Sequence, residues 1–329
     1  MPPYPSLIPR LRSLPDAFHD LRDPGVATGL LPIVGIVLAS FSLPAWAQST
    51  LRSDGQGSHR EATVTPASFA TENLIAWCLV PFDAKKRTPE RRARMVAELG
   101  LKRVAYDWRP EHVAEFEREI RAYQANGLQM FAFWDWHEAL RPLIHRYDIR
   151  PQIWSWYRQA KQPDAEDPIE HAIAQLSERI EITHDLGLKL GLYNHGGWSG
   201  EPETLVAICQ RLRDDHGMDH VGIVYNLHHA HGRMASFAED LALMKPHLLC
   251  LNINGMVSPE SSDITQQGNK IRAVGSCAND ATWMRVVLNS GYAGPIGILD
   301  HRHDLDTEVA LRRNLAGLRD LLQQRTDTE

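Results

Sequence analysis

The sequence predicts a single parallel (β/α)8 barrel of the TIM-barrel class. A short apolar run of β-forming residues, a polar or aromatic exit and an amphipathic helix recur in that order. They do so eight times over roughly 250 residues, the size and rhythm of such a barrel. A doubly wound open sheet is the other α/β solution, and it brings a glycine-rich phosphate turn after its first strand. Here that turn reads Pro81-Phe82-Asp83-Ala84-Lys85-Lys86 and holds no glycine.

Residues 73–80 (NLIAWCLV) form the first strand. Thr88-Pro89-Glu90 opens the first helix: the Thr88 hydroxyl accepts from a bare N–H, and Pro89 stands where no N–H is needed. Residues 102–107 (KRVAYD) are the second strand, and a helix over 110–124 ends at Asn126-Gly127. The third strand is 128–134 (LQMFAFW), with a shorter helix over 137–147, and the fourth is 151–156 (PQIWSW). Asp167-Pro168 starts a long helix that stops at Leu186-Gly187, before a fifth strand over 188–193. Glu201-Pro202-Glu203 opens the next helix. The sixth strand is 221–226, with a helix over 234–244, and the seventh is 248–254 (LLCLNIN). A long connection then carries an extended piece, 270–274, and a helix over 283–289. Gly291-Tyr292-Ala293-Gly294 leads into the eighth strand, 295–299, and a helix over 307–323 closes the barrel.

The barrel thus occupies residues 73–323 of the 329, with a tail over 324–329. Ahead of it, 26–44 is apolar and uncharged, Arg10, Arg12 and Arg22 lie upstream, and Ala45-Trp46-Ala47 has the small-x-small form of a cleavage site. Residues 1–47 are therefore expected to be an export leader and 48–72, rich in Ser, Thr and Gly, a flexible lead-in. The mature protein is expected in a periplasm or outside the cell. Only an uncleaved leader would tie it to a membrane.

With 43% hydrophobic residues the chain can bury a sizeable core. Its net charge of −6 and its scattered Lys and Arg exclude the concentrated basic face that nucleic acid needs. Cys78, Cys209, Cys250 and Cys277 have no zinc-type spacing. Buried free thiols are expected, and Cys250 with Cys277 is the one pairing worth testing for a disulfide.

Of nine tryptophans, Trp46 lies in the leader and Trp283 in a helix. Trp77, Trp108, Trp134, Trp136, Trp154, Trp156 and Trp198 fall within or just after strands one to five. Rings gathered on one rim suit the flat apolar face of a sugar. Trp77 and one member of each Trp-x-Trp pair are expected to pack away, and the substrate contacts are to be found among Trp108, Trp134, Trp136, Trp156 and Trp198.

Polar exits form a second layer. Asp107 ends strand two, Asn194 and His195 follow strand five, and Asn226, His228, His229 and His231 follow strand six. Asn252 and Asn254 end strand seven, and Asp300-His301-Arg302-His303 follows strand eight. Carboxylates and imidazoles at the C-terminal face of a barrel can move protons, while amides orient hydroxyls without adding charge. Asp107, His195, His229 and His301 are the catalytic candidates, and Asn194, Asn226, Asn252 and Asn254 the hydroxyl-binding ones. For Asp83, Asp135 and Glu138, helix capping or surface solvation is at least as good a reading.

Leu192-Tyr193-Asn194-His195, Asn226-Leu227-His228-His229, Leu251-Asn252-Ile253 and Gly291-Tyr292-Ala293-Gly294-Pro295-Ile296 resemble strand-end patterns of the xylose isomerase-like barrel superfamily of sugar isomerases and epimerases. The resemblance implies a divalent metal held by Glu, Asp, His and Glu at the ends of strands five to eight. The corresponding positions here are Tyr193, Asn226, Asn252 and Leu299, all different. Asp300 stands in for the last ligand if that strand is one residue longer. The remaining candidates for one divalent ion (Zn, Mn or Mg) are His195, His229, Asp300 and His301.

The expected function is an exported isomerase-, epimerase- or lyase-like enzyme that abstracts a proton from a sugar or sugar derivative. The alternatives are a carbohydrate-binding barrel that has lost its metal and, third, a glycoside hydrolase using Asp107 and Asp300 as its two carboxylates.

Overall fold

Eight parallel strands close into a barrel in chain order, each hydrogen-bonded to the next and β8 to β1. They are β1 (Leu74–Trp77), β2 (Arg103–Tyr106), β3 (Gln129–Trp134), β4 (Gln152–Ser155), β5 (Leu190–Tyr193), β6 (Val221–Asn226), β7 (Leu248–Ile253) and β8 (Ile296–Leu299). The computed structural model describes residues 66–155, 165–258, 260, 270–299, 302 and 305–326, all within the unit Arg60–Glu329. Among them the α-helices are α1 (Pro89–Glu98), α2 (Phe116–Ala125), α3 (Arg141–Tyr147), α4 (Pro168–Asp185), α5 (Pro202–His216), α6 (Phe237–Met244), α7 (Asp280–Asn289) and α8 (Thr307–Thr326). The expected (β/α)8 barrel is present.

The local signals act as their chemistry demands. Thr88 accepts from the Arg91 N–H, and Asp167 accepts from the N–H groups of Ile169 and Glu170. The helices after β2, β3 and β6 begin with 3-10 turns, Pro110–Glu115, Glu138–Leu140 and His231–Ser236, so their α-helical parts start later than the periodicity suggests. Two of these turns are held by histidine. His112 Nδ1 accepts from Arg109 N at 2.9 Å, and His137 Nδ1 from Ala139 N at 3.0 Å. Residues 67–73, most of them assigned from sequence to the flexible lead-in, form two 3-10 turns that bury Phe69. The leader reading and the rest of the lead-in lie outside the described residues, and no described helix is long and apolar enough to cross a membrane.

Two hydrophobic clusters follow from strand alternation. One lies between sheet and helices and includes Leu74, Val104, Tyr106, Ile153, Leu192, Ile223, Leu251 and Ile298. The other fills the barrel with Ile75, Trp77, Phe131, Trp154, Tyr193, Val224 and Cys250. The inner space is tight. A Cβ on Gly191 would come within 2.5 Å of Val224 Cγ2 and 2.9 Å of Trp154 Cδ1, and one on Gly297 within 1.8 Å of Asn252 Oδ1. All four cysteines are free thiols. Cys250 is fully buried in the inner cluster and Cys277 lies in the loop before α7, so the pairing raised from the sequence is not made.

Buried charges in the scaffold are paired or held by several N–H donors. Arg92 and Glu119, both almost completely buried, join α1 to α2 through contacts of 3.0 and 3.1 Å from Nη1 to the two carboxylate oxygens. Asp83 binds Arg87, which also reaches Asp306 and Glu308 at 2.9 Å and so clips the loop after β1 to the start of α8. Asp280 accepts from the N–H groups of Met256, Gly275 and Cys277 and from the Trp283 indole, gathering the loop after β7. Truncating Arg92→Ala leaves Glu119 buried without its cation and should cost about 3–5 kcal/mol of stability in denaturant unfolding.

Candidate active site

The C-terminal ends of the strands carry the groups singled out by the sequence, and the structure sorts them. Asp107 follows β2. Its neighbours Tyr106 and Trp108 pack into the outer cluster, so alternation turns Asp107 inward. It is 1% exposed, its Oδ1 accepts from Val80 N at 3.2 Å, and its Oδ2 has no hydrogen-bond partner among the described residues. Arg109, two residues on, directs Nη1 to the carbonyl oxygens of Asp107 and Trp108. Burial pushes the Asp107 carboxyl up to about 7, against the pull of Arg109 and the Val80 N–H. A carboxyl of that strength at a barrel mouth is matched to proton transfer near neutral pH.

A second group is built on β5 and β6. The Asn226 amide reaches the Tyr193 hydroxyl through Nδ2, and its Oδ1 lies 2.6 Å from His228 Nδ1. Burial pushes the Tyr193 phenol far above its usual range, so it stays a hydroxyl. Its oxygen accepts from the amide, which leaves its proton to donate. The imidazoles follow as a tilted cluster: His228 and His229 have ring centroids 3.7 Å apart at 40°, and His229 and His195 4.5 Å apart at 44°. His195 and His229 are partly exposed and His228 is buried. His231 points away, its Nε2 2.6 Å from the Val257 carbonyl oxygen, tying down the loop after β7.

The tryptophans divide differently from the sequence expectation. Trp134 is partly exposed and packs with Trp77 at 5.5 Å and Tyr193 at 4.9 Å, so it belongs to the barrel mouth. Trp108 instead packs edge-on against Phe116 and His137 in the outer layer, because strand alternation carries it outward. Trp136 also leaves the mouth. Asp135 has φ +51, which breaks the strand geometry, and the Trp136 indole bonds Glu138 at 2.6 Å beneath Arg141. Trp198 packs against the outer cluster from a 3-10 turn. Trp156, Asp300 and His301 lie outside the described residues.

The asparagines divide too. Asn194 bonds the backbone N–H and carbonyl of Asn226 at 2.7 and 3.1 Å and extends the β5–β6 pairing beyond the ladder. Asn254 donates to the carbonyls of Gly255 and Lys270 and holds the loop after β7. The Asn194 amide and the Asn254 Nδ2 are thus occupied by the fold, while the buried Asn254 Oδ1 has no hydrogen-bond partner among the described residues. Asn252 is fully buried above Gly297, and its Nδ2 has no hydrogen-bond partner among the described residues. Trp77 packs inside the barrel as expected, and Tyr193, which the sequence reading considered only as an altered metal position, brings a hydroxyl to the site. Gly191 two residues before Tyr193 on a buried strand was the available signal, since a small residue there makes room for neighbouring rings.

The metal positions implied by the family resemblance hold a protonated phenol, Tyr193, and two neutral amides, Asn226 and Asn252. A hard divalent ion calls for anionic oxygens or converging imidazoles. The imidazoles here lie against one another at tilts of 40° and 44°, and among the described residues no group of three or more His, Cys, Asp or Glu is placed to hold a metal. The described part of the site does not fit the ion.

No protein-family model matches this sequence, and no curated protein matches it. Solved structures match its fold. The 3-keto-D-glucoside 4-epimerase YcjR from E. coli is 13% identical with a TM-score of 0.53, over 76% of this chain and 99% of that one. A xylose isomerase-like TIM barrel protein from Mycobacterium smegmatis, in complex with magnesium, is 17% identical with a TM-score of 0.52, over 79% and 98%. The probable 3-DHS dehydratase AsbF from Bacillus anthracis is 10% identical with a TM-score of 0.57, over 74% and 98%. At these identities the likeness is one of fold.

The raised Asp107 carboxyl has a stability consequence. Its proton is held more tightly in the folded state, so this contribution is complete below the unfolded value of 3.8 and is lost as pH rises through about 7. Relative to Asp107→Asn, the wild type should lose about 4 kcal/mol between roughly pH 4 and pH 8. Denaturant unfolding of both proteins across that range measures it, and parallel pH profiles would show that Asp107 is not strained by burial.

Proposed function

Starting from a xylose isomerase-like TIM barrel, we propose that this chain is a sugar-modifying enzyme that works by proton abstraction at the C-terminal face of the barrel. The observation that carries this reading is Asp107: a buried carboxyl at about 7, with one oxygen uncommitted, at the end of a barrel strand. In this reading the ionised Asp107 takes a proton from a carbon next to a carbonyl. The Tyr193 hydroxyl donates to the oxygen on which negative charge develops, a role in which a placed donor contributes several kcal/mol. Trp134, with Trp77 behind it, offers an apolar ring face to the sugar. Returning the proton to the other face of the same carbon gives an epimer, returning it to the neighbouring carbon gives an isomer, and loss of a β-hydroxyl gives a lyase product. The leader over residues 1–47 adds export, so the substrate would be a carbohydrate met outside the cytoplasm.

The replacement of anionic ligands by Tyr193, Asn226 and Asn252 favours a second reading, a barrel that binds carbohydrate without turning it over. The two part in one experiment. The purified protein is incubated in D2O with free, oxidised and glycosidic sugars, with and without divalent metals, and deuterium uptake and new products are read by NMR. The enzyme reading expects exchange that chelator leaves intact and that Asp107→Asn reduces about 10²–10⁴-fold. Saturable sugar binding with no exchange and no product under any condition would leave the binding barrel standing instead.

A further inference from the structure

The Asn226 amide sits among contacts whose directions are forced. The His228 backbone N–H, which can only donate, lies 3.2 Å from Asn226 Oδ1, and this identifies the oxygen end of the amide. The other end is then a donor, and the Tyr193 hydroxyl oxygen, which can donate or accept, receives it. The same Oδ1 is 2.6 Å from His228 Nδ1. An amide oxygen only accepts, so Nδ1 carries the proton, and in the neutral ring the lone pair stays on Nε2. His228 is 6% exposed and Asn226 fully buried, so water does not compete readily for these bonds.

We propose that Asn226 is a positioning residue that locks His228 in its Nδ1–H tautomer, making Nε2 its basic nitrogen in the imidazole cluster. Asn226 occupies a position where the family resemblance implies a metal ligand, and here it directs protons instead. The chemical consequence is selective. An Nε2 lone pair accepts from a hydroxyl, whereas an Nε2–H would donate to a carboxylate or phosphate. Any ligand group that reaches this nitrogen therefore meets an acceptor, which suits a hydroxyl of a neutral polyol better than an anion. That consequence rests on the sugar reading above; the tautomer itself does not.

The test is ¹⁵N–¹H NMR of the full-length protein with labelled histidine, recorded at about pH 9 so that imidazoles are neutral. The His228 signals are assigned by their loss in His228→Gln. The expected wild-type spectrum shows a protonated Nδ1 and an unprotonated Nε2, in at least about tenfold excess over the other tautomer. Asn226→Asp keeps the accepting oxygen and should keep the Nδ1–H form, while Asn226→Leu should shift His228 towards Nε2–H. A wild-type His228 protonated on Nε2 overturns the proposal, as does an unchanged Nδ1–H form in Asn226→Leu. If the leucine variant fails to fold, the wild-type and aspartate spectra still decide. Absence of sugar turnover leaves these spectra unaffected, so the two proposals fail separately.

Discussion

Inside the barrel, large rings on one strand are matched to bare glycines on the next. Trp154 and Val224 occupy the space that a Cβ on Gly191 would need, and Asn252 the space beside Gly297. Interiors are close-packed, so this matching decides where the next residues along each strand can go. With Trp77, Trp154 and Phe131 filling the barrel, Tyr193 and Asn226 come at the top of the filled volume, where strands β5 and β6 end. The polar groups of the mouth thus rest on an aromatic floor. That floor lowers the local dielectric, which is why the Asp107 carboxyl and the Tyr193 phenol are both pushed towards their protonated forms.

Elsewhere the protein pairs its buried charges or surrounds them with donors, as Arg92 with Glu119, Asp83 with Arg87, and Asp280 with four N–H groups. Asp107 departs from that practice. The nearest cation in sequence, Arg109, spends its guanidinium on backbone carbonyls, and the carboxylate accepts from the backbone N–H of Val80. An unpaired buried acid is unfavourable for a scaffold and useful for a site that must both hold and release a proton.

The barrel was legible because the alternation of buried strand and amphipathic helix has its own period, and because caps such as Thr88 and Asp167 carry local signals. Asp107 was legible too, since a carboxylate ending a buried strand has few scaffold uses. The facing of side chains beyond a strand's end was not. Trp108 keeps the strand's alternation and turns outward, whereas the positive φ of Asp135 takes Trp136 out of the mouth. Asn194 and Asn254 have the residue type of ligand-binding amides, but they spend their hydrogen bonds on backbone groups that only the folded chain brings near. His228, which the sequence reading set behind His229, takes its importance from one contact with Asn226 that no spacing rule contains.

The Arg87 cluster lies where the ring is sewn shut. β1 must find β8 across more than two hundred residues, and Arg87 meets Asp306 at a sequence separation of 219. Loop-closure entropy grows only slowly with length, so one firm contact at such a separation removes much of the freedom that an opened ring would regain. Secreted proteins often use a disulfide for this purpose, and here the described cysteines remain thiols. The joint is instead a nearly buried guanidinium, with a side chain 8% exposed, gripped by one carboxylate that follows the first strand and two that follow the last. Such a seam can open and reclose without chemistry, and it is indifferent to the redox state of whatever compartment the chain occupies.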